Sequence, residues 1–132
     1  MSSFAFEAKC VVTEQPDGEF HLVGFADQKF DTRFYLMLQR ALEHDEQDRA
    51  LGMDTYHLEW RGQGMSGYGG ISRFLLSSTG VEVSFEPQAV AELDGMEHLS
   101  ICFQLSRDDF LMLREALGNI FVGSGCLVVA GA

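Results

Sequence analysis

A chain of 132 residues has the length of one domain, and at 46% hydrophobic with 11 Phe and only 2 Pro it is composed for a packed core, not for a disordered acidic tail. Surface scaling lets such a chain bury about two thirds of the surface its unfolded form exposes, so no disulfide or metal staple is needed. With 20 acidic against 9 basic residues, a formal net charge of -11, it repels a phosphate backbone; this argues against direct nucleic-acid binding and favours cationic partners.

Phe4, Phe6 and Ala8 alternate with Ala5, Glu7 and Lys9, which predicts a half-buried strand over Phe4 to Val12, closed by the turn Pro16-Asp17-Gly18. Glu19 to Ala26 alternates again, so these two strands are expected to form an antiparallel hairpin. Phe34, Leu36 and Leu38 alternate as in a strand while Leu38 and Leu42 also fit a helical spacing; a strand running to about Gln39 is favoured. From Arg40 to Leu51 the residues favour a helical turn or structured loop with its carboxylates outward, ended by Gly52. Thr55 to Trp60 reads as a strand, and Gly62, Gly64, Gly67, Gly69 and Gly70 as a hairpin loop that re-enters a strand near Ile71 to Leu76.

Ser78-Thr79-Gly80 then makes a tight connection to the alternating run Val81 to Phe85. Pro87 suits the first position of a short helix through Leu93, stopped by Asp94-Gly95. A strand carries Leu99, Ile101, Phe103 and Leu105, after which Ser106 is placed to cap a helix with Asp108 and Asp109 in its first turn and an apolar stripe of Phe110, Leu113, Leu117, Ile120 and Phe121. The apolar, Gly-rich tail over 122–132 is read as an added edge strand, a segment packed on the domain, or loosely ordered chain. The expected fold is α+β: a mainly antiparallel sheet of about six to seven strands with two or three helices packed on one face, in a single domain over 1–132 whose core runs from about 4 to 121.

Cys10, Cys102 and Cys126 are odd in number and set among apolar neighbours, as buried free thiols would be. The start Met1-Ser2-Ser3-Phe4 has no basic stretch leading into an apolar one, and no apolar run is long enough to span a membrane, so a reducing, cytoplasmic setting is expected. His21, His44, His57 and His98 show no metal-ligand spacing, and no cofactor or metal is expected. Asp45, Glu46, Asp48 and Asp54 lack the glycine and the closing Glu of a calcium loop. The glycines around Tyr68 are followed by neither a Lys-Ser/Thr pair nor a helix, which favours a turn over a phosphate cradle. Period-two spacing puts His57 and Glu59 on one side of their strand, and an ordinary packed or surface pair is preferred there to a catalytic one. Tyr68, flanked by Gly67 and Gly69, either offers its ring to a partner or folds back on the core.

The run Glu43-His44-Asp45-Glu46-Gln47-Asp48 concentrates negative charge and reads either as a solvated face or as a partner surface. Gly24-Phe25-Ala26-Asp27, Tyr35-Leu36-Met37-Leu38-Gln39-Arg40, Asp45-Glu46-Gln47-Asp48, Gly52-Met53-Asp54-Thr55-Tyr56 and Tyr68-Gly69-Gly70-Ile71, in that order, resemble the tenth immunity-protein family of bacterial polymorphic toxin systems. The resemblance spans about Phe4 to Phe121 and implies a small cytoplasmic α+β protein that binds and neutralises a cognate protein toxin, with no enzymatic activity of its own. A nuclease toxin has a basic groove that an acidic protein can occlude, so Glu43, Asp45, Glu46, Asp48 and Tyr68 are the expected partner-binding residues. Asp27, Arg40 and Asp54, at predicted strand ends, are expected to hold the scaffold, with Gln39-Arg40 bonding locally to the acidic segment. The alternative is a small-molecule binder or enzyme with a pocket near His57 and Glu59, and a homodimer through the apolar tail is compatible with either.

Overall fold

The structure is a computed structural model and describes residues 2–14, 20–41, 50, 55–61 and 65–130. Among these, ten strands form two five-stranded sheets. The first holds β1 (Ser2–Glu7), β7 (Ile71–Ser77), β8 (Gly80–Phe85), β9 (Met96–Cys102) and β10 (Leu127–Val129) in the order β1-β9-β8-β7-β10. The second is the antiparallel meander β2 (Cys10–Glu14), β3 (Phe20–Ala26), β4 (Tyr35–Ala41), β5 (His57–Trp60) and β6 (Ser66–Tyr68). Helices α1 (Pro87–Glu92) and α2 (Arg107–Ile120) complete the α+β architecture. The single sheet of six or seven strands expected from the sequence is therefore corrected to two sheets, each closed by edge strands of its own.

The extra sheet arises partly at Ala8. The expected strand Phe4 to Val12 is cut there: Ala8 is buried, its N–H donates to the Cys102 carbonyl at 2.8 Å, and the chain passes from β1, parallel to β9, into β2, antiparallel to β3. β10 comes from the tail, pairing parallel to β7, with Cys126 buried just before it. β6 lies within the glycine stretch, which the sequence predicts as a hairpin loop.

The two sheets meet through their inner faces. Phe25 of β3 is fully buried, with ring centroids 6.4 Å from Phe74 of β7 and 6.2 Å from Phe103 after β9, while Trp60 of β5 meets Phe4 and Phe6 of β1 at 5.6 and 5.9 Å. α2 packs against β3, with β2, β4 and β10 beside it. It starts as the sequence predicts, with Ser106 Oγ accepting from the Asp109 N–H at 3.1 Å, and it buries Leu113, Leu117 and Ile120. α1 begins at Pro87 and is stopped by Asp94 and Gly95, both in left-handed backbone at φ 57° and 84°. Of the thiols, only Cys126 is buried; Cys10 is intermediate and Cys102 exposed, so the expectation of three buried thiols holds for one.

Arg40 reaches across the fold to α2. From Nη1 it donates to the carbonyls of Ile120 at 3.2 Å and Val122 at 2.9 Å, placing a guanidinium on the negative end of the helix where no other basic residue stands in the last turn. Arg40→Ala should lower stability by about 2 kcal/mol, since it strips charge-assisted bonds from orphan carbonyls. A circular dichroism melt indistinguishable from wild type would refute this scaffold role. Arg40 and Ala41 are strand residues, not the start of a helical turn; of the rest of that predicted turn only Ala50 is described, in helical conformation, and the other residues lie outside the described residues.

Candidate functional site

Among the described residues, the second sheet has one covered face and one open one. Val23 and Phe25 of β3, Leu36 and Leu38 of β4, and Leu58 and Trp60 of β5 point inward and are buried, and α2 approaches from that same side, where Thr13 and His21 border Met112, Glu115 and Ala116. Alternation sends Cys10, Val12, Leu22, Gly24, Ala26, Tyr35, Met37, Gln39, His57 and Glu59 to the outer face, and all of them are only partly buried. No described helix or strand packs over them.

Register sorts this face into two halves. On the β2 side, Val12 stands opposite Gly24 and Gly24 opposite Met37, and a concavity of about 350 Å³ opens there between Cys10, Val12, Leu22, Tyr35 and Met37. Its floor is Gly24: with no side chain at the middle of a central strand, the flanking Val12 and Met37 become walls. On the β6 side, Gln39 is paired with His57 and His57 with Tyr68, and Met37 with Glu59 and Glu59 with Ser66, so the polar groups line up across three strands.

His57 and Glu59 share a side, as period-two spacing predicts, but they face separate partners. The His57 ring meets the Tyr68 ring edge-on at 4.9 Å, while Glu59 Oε2 accepts from Tyr35 Oη at 2.6 Å. That bond to a carboxylate, with burial and the negative charge adding to it, pushes the Tyr35 hydroxyl up to about 12. The hydroxyl therefore stays a donor and locks β4 to β5 on the open face. Tyr68 is 46% exposed, with its ring against His57.

A second cavity, of about 260 Å³, lies between β6 and α1 and is lined by Leu58, Tyr68, Gly69, Gln88, Ala89 and Glu92 among others. Neither His57 nor Glu59 lines it. The glycines here serve close packing: a Cβ on Gly70, at φ 95°, would stand 2.8 Å from Ala89 Cβ, and one on Gly67 would stand 3.0 Å from Glu92 Oε2. Glycine thus lets α1 settle on the β6–β7 connection. Among the described residues no group of three or more His, Cys, Asp or Glu is placed to hold a metal ion, and no helix is long and apolar enough to cross a membrane.

Glu43, Asp45, Glu46 and Asp48, the acidic residues singled out from the sequence, lie outside the described residues, as do Gly52, Met53 and Asp54. Asp27 has the structural role expected of it. Its Oδ1 accepts from the N–H groups of Arg33 at 3.0 Å and Phe34 at 3.2 Å, and although desolvation acts the other way, these backbone donors hold its carboxyl below the usual range. The same loop, 27–34, holds the most exposed large apolar side chain described, Phe30 at 76%. No local pattern in the sequence singles out Phe30 or the Gly24 concavity. The available signal was a strand, Phe20 to Ala26, with apolar residues on both faces, which one covered face alone does not require.

The fold is thus acidic, α+β and two-sheeted, with one sheet face, half apolar and half polar, left open among the described residues. The model of one protein family, Immunity protein 10, matches residues 7–111, well over half of the chain, and the chain belongs to that family. Curated proteins give no match to the chain.

Proposed function

We propose that the protein binds a cognate toxin of a bacterial polymorphic toxin system and neutralises it by protein–protein contact, without catalysis, protecting the producing cell from within its cytoplasm. The observation that carries this reading is the family match over residues 7–111. The charge supports it: at -11 the chain attracts a basic partner, and a toxin that works on nucleic acid carries a basic groove. Glu43, Asp45, Glu46 and Asp48 form part of the attracting surface, and Tyr68, exposed on β6, is a contact.

Replacing those four carboxylates by the matching amides (Glu43→Gln, Asp45→Asn, Glu46→Gln, Asp48→Asn) should slow association with the toxin by about tenfold at low salt and flatten its salt dependence, with little change in dissociation. Stopped-flow association at several ionic strengths reads this directly. Unchanged association rates would remove the acidic run from the interface.

A further inference from the structure

The outer faces of the two sheets are built differently. On the first sheet, Glu82 and Ser84 of β8 lie beside His98 of β9, at 3.7 and 3.4 Å, with Arg73 across from Ser84, the mixture expected of a solvated face. On the second, Val12, Leu22, Tyr35 and Met37 surround the side-chain-free floor at Gly24. Glycine inside a strand weakens it and often marks the close approach of another molecule. Among the described residues nothing in the packing requires Gly24: a Cβ there would meet Val12 Cβ at an ordinary 4.0 Å, and its φ is not left-handed.

Thr32 borders the same concavity and brings in the β3–β4 loop. That loop is held in one shape: the Asp27 N–H donates to the Phe34 carbonyl at 3.0 Å, Asp27 Oδ1 accepts from Arg33 and Phe34, and Thr32 Oγ1 donates to the Gln28 carbonyl at 2.7 Å. On it Phe30 stands 76% exposed, with Lys29 Nζ 5.9 Å from its ring. An aromatic ring held out by a preorganised loop beside an apolar concavity has the form of an anchor and its socket, because little ordering entropy remains to be lost on binding.

We propose that the concavity over Gly24, with Phe30 at its rim, is the docking surface for the cognate toxin, which inserts an apolar side chain above Gly24. This rests on the toxin-binding reading above and names the surface it uses. The partner is net basic, for a reason of charge: a second copy of this chain would bring -11 against -11, whereas a cationic protein meets opposite charge.

The test uses the full chain and, as probe, the toxin encoded beside its gene, purified in a catalytically inactive form. Gly24→Thr fills the socket, and Phe30→Ala removes the anchor. Both should keep or raise the melting temperature, Gly24→Thr because a β-branched residue suits the strand and has room, yet each should weaken toxin binding by about 30-fold. Leu75→Ala, on the outer face of the first sheet, should leave affinity unchanged. If wild type binds and the two folded variants bind as tightly, this surface is wrong while the toxin-binding reading stands; if wild type does not bind, both fail. Sedimentation should show a monomer, and a dimer abolished by Gly24→Thr would assign the face to a second copy and overturn the proposal.

Discussion

Phe25→Ala should cost about 4 kcal/mol. The side chain is fully buried at a position that joins the two sheets. Anchored on β3, its ring lies nearly parallel to Phe103, at 13° and 6.2 Å, and tilted against Phe74 at 6.4 Å. Phe74 in turn meets Phe121 at the end of α2, at 5.0 Å, so the cavity left by Phe25 sits where both sheets and the helix converge. Two facing β-sheets cannot collapse into such a space without shearing, and the transfer and cavity penalties therefore add. Urea unfolding should show a lower midpoint with an unchanged slope. A loss below about 1 kcal/mol would mean that the sheets are not joined through this ring.

Gly80→Ala should be nearly as damaging, by about 3 to 4 kcal/mol, for a reason that involves no buried side chain. Gly80 opens β8 after the Ser78-Thr79 turn and pairs with Cys102 of β9. A Cβ added there runs into the backbone carbonyl oxygen of Ile101 and lies 3.1 Å from Cys102 Cα. These are backbone atoms in the adjoining strand, so they can yield only if β8 and β9 separate, and the neighbouring bond from the Phe103 N–H to the Thr79 carbonyl, 3.0 Å, would be strained with them. Gly95 supplies the contrast. It has the left-handed φ of 84° but open space around it, so Gly95→Ala pays conformational strain alone, about 1 kcal/mol. Parallel thermal melts of the two variants should separate close approach from backbone strain; equal losses would contradict the assignment.

Much of the fold could be read locally, where a residue's own chemistry decides. Ser106 capping α2, Pro87 opening α1, the Asp94-Gly95 stop and the β2–β3 and β7–β8 hairpins all follow from neighbours a few positions away. The division into two sheets could not. Alternation from Phe4 to Val12 tells which residues share a side but not which strand they pair with, and the change of sheet at Ala8 depends on Cys102. β6 was hidden for a similar reason: Ser66 to Tyr68 is a strand because β5 lies beside it, not because its residues prefer one.

The site divides the same way. His57 and Glu59 on one side of a strand follow from period two, but Tyr35 as the partner of Glu59 and Tyr68 as the partner of His57 depend on the registers of three strands. Arg40 at a strand end suggests a scaffold role held by local bonds to the acidic segment, but its described acceptors lie 80 and 82 positions away. The concavity over Gly24 needs β2, β3 and β4 in register, and no single segment shows it. Family membership, by contrast, was legible in short blocks whose order is itself a property of the sequence.

Titrating the toxin's activity with the purified protein tests the central claim most directly, because a neutralising binder and an enzyme differ in stoichiometry. The account predicts that inhibition rises linearly and is complete at one molecule of this protein per toxin, with both recovered intact as a complex. Complete inhibition at a small fraction of that amount, or none at equimolar addition, would contradict it.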